Sequence, residues 1–143
     1  MKKFFIVTLS ILVIGAISAV FVYTRVYNKP HTDIYNTEAD YIVSADEIID
    51  DFKKDEKSAN KKYLDKIVEV KGVLHNIDAT KNQNVLTLRT GESLESVICN
   101  MDPQENDKIS GLEKGQSVQV KGICTGFLLD VVIVRAVLEG EKL

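Results

Sequence analysis

The sequence predicts a mainly β protein: a small closed barrel of five strands, preceded by an amphipathic helix and, before that, by an N-terminal transmembrane helix. Three observations carry this expectation. From residue 66 onward, apolar residues recur with a period of two in stretches rich in β-branched side chains. Just ahead of them, over residues 45–62, the period is that of a helix. Phe4 to Tyr23 is a run of 20 residues without a charge.

The apolar run is the first element. At about 1.5 Å per residue it spans roughly 30 Å, the thickness of a bilayer core. Phe4, Phe5, Tyr23 and Tyr27 lie near its ends, where aromatic rings favour the interface. A cleaved signal peptide is the rival reading, but the run is longer than the roughly 7–15 residues of a signal core. It also continues through Val20, Phe21 and Val22, past any small-residue cleavage site. No cysteine lies near it, so lipid attachment at a cysteine is excluded. Lys2 and Lys3 on a three-residue tail have the form of an export signal, which places the C-terminal part outside the cytoplasm as a single-pass membrane protein. The expected organisation is an anchor over 1–23, a tether over 24–43 and a folded domain over 44–143.

The domain opens with a helix. Ser44 followed by Glu47 forms a capping box, and Val43 with Ile48 a hydrophobic staple. Acids crowd the first turns and Lys57, Lys61 and Lys62 the last, as the helix dipole favours. Ala45, Ile48, Ile49, Phe52, Ala59 and Tyr63 make an apolar stripe, which predicts one helix over 45–62.

Five strands follow, at Ile67–Ile77, Val85–Thr90, Leu94–Met101, Ser117–Phe127 and Asp130–Leu138. The long connection from Asp102 to Gly115 has room for a short helix. One pattern occurs twice: Val68-Glu69-Val70-Lys71-Gly72-Val73 returns as Val118-Gln119-Val120-Lys121-Gly122-Ile123. Two copies do not make a solenoid. They read as two long strands, each bent or bulged at its glycine, as a small barrel requires. The order β-β-β-α-β-β is that of the OB-fold, a five-stranded Greek-key barrel.

From about Ser44 to Leu138 the chain also resembles the tRNA_anti-like OB-fold proteins of bacterial envelopes. The residues that carry the resemblance are the helix with Ala45, Ile48 and Phe52, then Ile67 to Gly72, Val97-Ile98-Cys99, Gly115 to Gly126 and Asp130 to Ile133. Their motifs speak to fold more than to function. The resemblance implies a membrane-anchored or lipid-anchored OB domain. Where relatives place a further cysteine in the last strand, this chain has Ala136, which leaves Cys99 and Cys124 as the possible disulfide pair.

The residues argue mostly by exclusion. Residues 31–143 hold 14 Lys/Arg against 21 Asp/Glu, a net charge of −7, which repels phosphate backbones. On the second and third strands Leu86 and Leu88 should point inward, with Val85, Thr87 and Arg89 outside; Val97, Cys99 and Met101 should face in, with Ser96, Ile98 and Asn100 outside. That outer face has no aromatic ring for a base to stack on. Arg89 is its single cation, a candidate anchor for an anionic ligand, and Phe127 a candidate rim of a cleft. Cys99 and Cys124 read as two buried thiols or as one disulfide. His75 lacks a paired nucleophile, and no phosphate loop, zinc motif or nucleophile elbow is present. The expectation is therefore a non-enzymatic binding module without cofactor or metal. It is held to the membrane by residues 4–23 and engages a protein or small ligand in the envelope. Nucleic acid is disfavoured as a partner. An OB protein that binds tRNA or single-stranded DNA and a hydrolase with an unrecognised site are the alternatives.

Overall fold

A computed structural model describes residues 13–21, 23, 33–79, 83–89, 91 and 94–140. The chain divides into two units, residues 1–32 and 33–143. In the first, residues 13–21 are helical and exposed. Among the described residues no helix is long and apolar enough to cross a membrane. Residues 1–12 and 22 of the expected anchor and 24–32 of the expected tether lie outside the described residues.

The second unit begins with β1 (Tyr41–Ser44), α1 (Ala45–Lys54) and α2 (Glu56–Tyr63). The strands β2 (Ile67–Ala79), β3 (Asn84–Arg89) and β4 (Val97–Met101) follow. A 3₁₀ turn at Pro103–Glu105 runs into the short helix α3 (Asn106–Ile109), and β5 (Ser117–Phe127) and β6 (Val131–Leu138) complete the unit. β2 is shared: Ile67 to Val73 pair with β5, and Val73 to Ala79 pair with β3. β4 joins β3 antiparallel and β6 parallel, and β6 returns to β5. The ring β2-β3-β4-β6-β5 is a closed, OB-like barrel. Its interior is filled by alternate residues of each strand, among them Val68, Val70, Leu86, Leu88, Val97, Cys99 and Ile133.

Three elements depart from the expectation. The single helix over 45–62 is two. Asp55 leaves helical geometry at φ −158°, ψ 91°, donates its N–H to Asp51 O, and accepts from the N–H of Ser58 at 3.2 Å and from its hydroxyl at 2.7 Å. Residues 53–58 (KKDEKS) offer the core no apolar side chain, so nothing opposes a second N-cap there. All six residues of the stripe are nonetheless buried. Secondly, β1 and a buried Ile34 occupy part of the stretch read as tether. β1 runs parallel to β2, and Asp40 fixes its start, donating its N–H to Ile67 O at 2.8 Å and accepting the Ile67 N–H on its carboxylate at 3.0 Å. Four residues are too few for a period of two to be read. Thirdly, the bulge in β2 falls at His75, between Leu74 and Asn76, and not at Gly72. Gly72 serves close approach instead: a Cβ there would lie 3.1 Å from those of Ala45 and Leu88. Gly122 does mark a shift of register, between Lys121 and Ile123 against β6.

The two ends of the barrel are closed differently. α1 and α2 cover one end with Ala45, Ile48, Ile49, Phe52 and Tyr63, all under 3% exposed. The other end is closed through Glu105, which is 1% exposed. Its carboxylate accepts from Lys108 Nζ at 3.0 Å and from the backbone N–H of Leu138 at 3.0 Å, tying the α3 segment to the end of β6.

Candidate ligand-binding surfaces

The outward face of β3 and β4 is largely as expected. Leu86, Leu88, Val97, Cys99 and Met101 are buried, while Val85, Thr87, Arg89, Ile98 and Asn100 are half-buried. Ser96 is the correction: it is buried, and Asp130 Oδ1 accepts both its N–H at 2.7 Å and its hydroxyl at 2.6 Å. That clamp holds the residues before β4 as a loop, so β4 starts at Val97 and Leu94 projects, 86% exposed.

Arg89 reaches back along its own loop, where Nη2 donates to Leu94 O at 2.9 Å. Its Nε is buried and has no acceptor among the described residues. Arg89 also lines an open cleft of about 400 Å³ together with His75 and Lys114. Lys114 donates to Asn76 Oδ1 at 2.6 Å.

Phe127 does two things. It stacks on Phe52 with centroids 5.6 Å apart and planes 15° from parallel, in a series that continues through Tyr63 to Tyr41. It also lines a shallow cleft of about 520 Å³ with Leu94, Leu128 and Leu129. Leu128 and Leu129 are 89% and 81% exposed, and the Lys53–Glu95 ion pair at 3.1 Å lies at the rim. At the other flank of these helices, Asp51 accepts from Tyr63 Oη at 2.6 Å and from Lys62 Nζ at 3.0 Å. Those bonds hold the Asp51 carboxyl below its ordinary range, and burial followed by the Asp51 contact pushes the Tyr63 phenol up to about 12.

Cys99 and Cys124 are free and buried. Both face Ile133, one across β4–β6 and the other across β6–β5. Two strand spacings, about 10 Å, separate their Cα atoms, beyond the roughly 7 Å that a disulfide can span. The bridge held open as a possibility does not fit this register. Burial pushes the Cys99 thiol up to about 12 and raises that of Cys124. Among the described residues no group of three or more His, Cys, Asp or Glu is placed to hold a metal ion.

The tRNA_anti-like profile matches residues 1–138. The chain belongs to the tRNA_anti-like family. No curated protein matches it in sequence. Among solved structures it is similar to a Klebsiella pneumoniae protein described as a suspected nucleic acid-binding lipoprotein. That likeness has a TM-score of 0.59 at 15% identity over 78% of this chain and 100% of the other, and shows the fold alone. A weaker likeness, to the S. pombe Stn1-Ten1 complex, has a TM-score of 0.44 at 18% identity over 53% of this chain and 58% of the other, and is too slight to carry an argument.

Within this tRNA_anti-like domain, the two residues singled out from sequence, Arg89 and Phe127, each line a cleft, and Lys114, Leu128 and Leu129 beside them were not singled out. Lys114 is 25 positions from Arg89 and meets it only through the fold. Leu128 and Leu129 were legible in principle. Two leucines where a strand connection wants polar residues are out of pattern.

Proposed function

We propose that this protein is a non-enzymatic binding module, held to a membrane by residues 4–23 with its domain outside the cytoplasm, that docks a protein partner through Leu94, Leu128 and Leu129. The observation that carries the reading is this leucine tip. Three large apolar side chains, each more than 80% exposed, stand on two adjacent loops beside a shallow cleft. Contiguous exposed apolar surface rimmed by charge marks a contact surface. The Lys53–Glu95 ion pair at the rim offers charge of both signs, which suits a protein surface. The lipoprotein description of the Klebsiella neighbour is in keeping with placement in the envelope.

The test is a photo-crosslinking residue at Leu128 of the full chain in native membranes, with protease added to intact spheroplasts for orientation. A discrete protein adduct that disappears in Leu94→Asp and Leu129→Asp is expected, with digestion of the domain before lysis. Adducts to lipid alone, or protection until lysis, would overturn the reading.

A second reading is oligonucleotide binding, which the description of the Klebsiella neighbour suggests and the grouping of His75, Arg89 and Lys114 favours. It predicts a titration whose affinity falls steeply with salt.

A further inference from the structure

A domain with a net charge of −7 collects three basic side chains around one cleft. They come from separate elements: His75 from the bulge of β2, Arg89 from the end of β3, and Lys114 from the loop before β5. Two of the three are held in place. The Lys114 loop is fastened to β2 by two backbone bonds, Leu74 N–H to Gln116 O at 2.9 Å and Gly115 N–H to Leu74 O at 2.7 Å. Lys114 itself is oriented by Asn76, and Arg89 by the carbonyl of Leu94. Lysine carries three donors, so its bond to Asn76 leaves two. Asp78, two residues beyond Asn76 on the same strand, is engaged by Asn76 Nδ2 at 2.9 Å.

Two further features point to a ligand. Arg89 Nε is a buried donor without an acceptor among the described residues, an arrangement that native proteins rarely leave unused. Gly91 and Gly115 line the same cleft with positive φ, and a Cβ on either would meet nothing within 4 Å, so the rim is open at both. Among the described residues no Phe, Tyr or Trp lines the cleft, which leaves a nucleobase only the imidazole of His75 to stack on. What remains is three donor-bearing side chains, from separate elements, lining one open cleft of about 400 Å³. A planar guanidinium beside an ammonium and an imidazole suits a tetrahedral oxyanion, which presents acceptors on every side.

We propose that the His75–Arg89–Lys114 cleft binds a phosphate-class oxyanion, either free or as the terminal group of a small phosphorylated molecule. The proposal does not rest on docking at the leucine tip: the two clefts share no lining residue, and the bond from Arg89 to Leu94 is to its backbone carbonyl and not to the exposed side chain.

The experiment is calorimetric titration of the full chain in detergent with inorganic phosphate and, separately, with glycerol phosphate, at ionic strength matched with chloride. Saturable binding is expected, weakened at least about tenfold in Arg89→Gln and several-fold in Lys114→Gln, the loss that removal of a charge-assisted hydrogen bond produces. Lys71→Gln, outside the cleft, should bind as the unaltered chain does. Tighter binding of glycerol phosphate identifies an esterified source, and tighter binding of inorganic phosphate a free one; either supports the site. Circular dichroism checks the fold of Arg89→Gln, and Lys114→Gln keeps the test decisive if Arg89→Gln unfolds. A response no greater than that to chloride, equal weakening in Lys71→Gln, or equal affinity for acetate would overturn it. So would an oligothymidylate that binds more tightly than either phosphate and is lost in Lys114→Gln, which would favour a polymer.

Discussion

The two copies of V-x-V-K-G-[V/I] invite comparison, because in the folded chain they lie against each other. Val68 to Val73 and Val118 to Ile123 are antiparallel neighbours in the β2–β5 pair, with Val70 opposite Val120 and Gly72 opposite Val118. Their surroundings are nonetheless unlike. Lys71 is exposed, whereas Lys121 is 6% exposed and ion-paired with Glu139. Gly72 faces the side chains of Ala45 and Leu88. A Cβ on Gly122 would meet the Ile133 side chain at 2.5 Å and the backbone of Val134 and Ala136 at 2.9 and 3.1 Å. A shared local pattern thus makes a strand twice. What differs is the neighbour on the far edge, β1 and α1 for β2 and the bulged β6 for β5.

The glycines should show the largest contrast. Backbone cannot move aside as a side chain can, so Gly122→Ala is expected to cost about 3 kcal/mol and Gly72→Ala about 1 kcal/mol, within the range for overpacking. Urea unfolding measures both, and equal costs would remove the distinction between the copies.

The lysines come next. Lys121→Met leaves Glu139, 26% exposed at its side chain, without its partner, an expected loss of about 1–2 kcal/mol. Lys71→Met should fall within about 0.5 kcal/mol of the unaltered chain. A neutral Lys121→Met would mean that Glu139 is adequately solvated.

Tyr63 probes the helical neighbour of the first copy. Its phenol is raised from 10 to about 12, so the neutral form is favoured by folding. The contribution is fully present below pH 10 and is lost as pH rises towards 12. Tyr63→Phe should cost about 1 kcal/mol at neutral pH and flatten that alkaline decline, as followed by denaturant titration at stepped pH.

The smallest expected effect is none at all. Cys124, just past the second copy, and Cys99 should resist a thiol reagent at pH 8 until the chain is unfolded, and reductant should leave the melting temperature unchanged. Labelling in the native state would show that the β6 side of the barrel opens.

Much of the architecture was determined by the sequence alone. A period of two over 67–77, 85–90, 117–127 and 130–138 sets the strands, because alternate residues of a half-buried strand must differ in polarity. The stripe from Ala45 to Tyr63 sets the helical cover, and the order of elements sets the barrel. The tertiary structure decided the rest. Glu105 sits in a segment, DPQEND, that reads as a solvated loop, yet it is the buried tie at one barrel end; periodicity carries no information about a single buried polar residue whose partners are distant in sequence. The same holds for the meeting of His75, Arg89 and Lys114, and for the separation of Cys99 from Cys124 by one intervening strand. Local pattern specifies which face of an element is buried. Which residues then meet across the barrel is set by register and closure, and those exist only once the chain has folded.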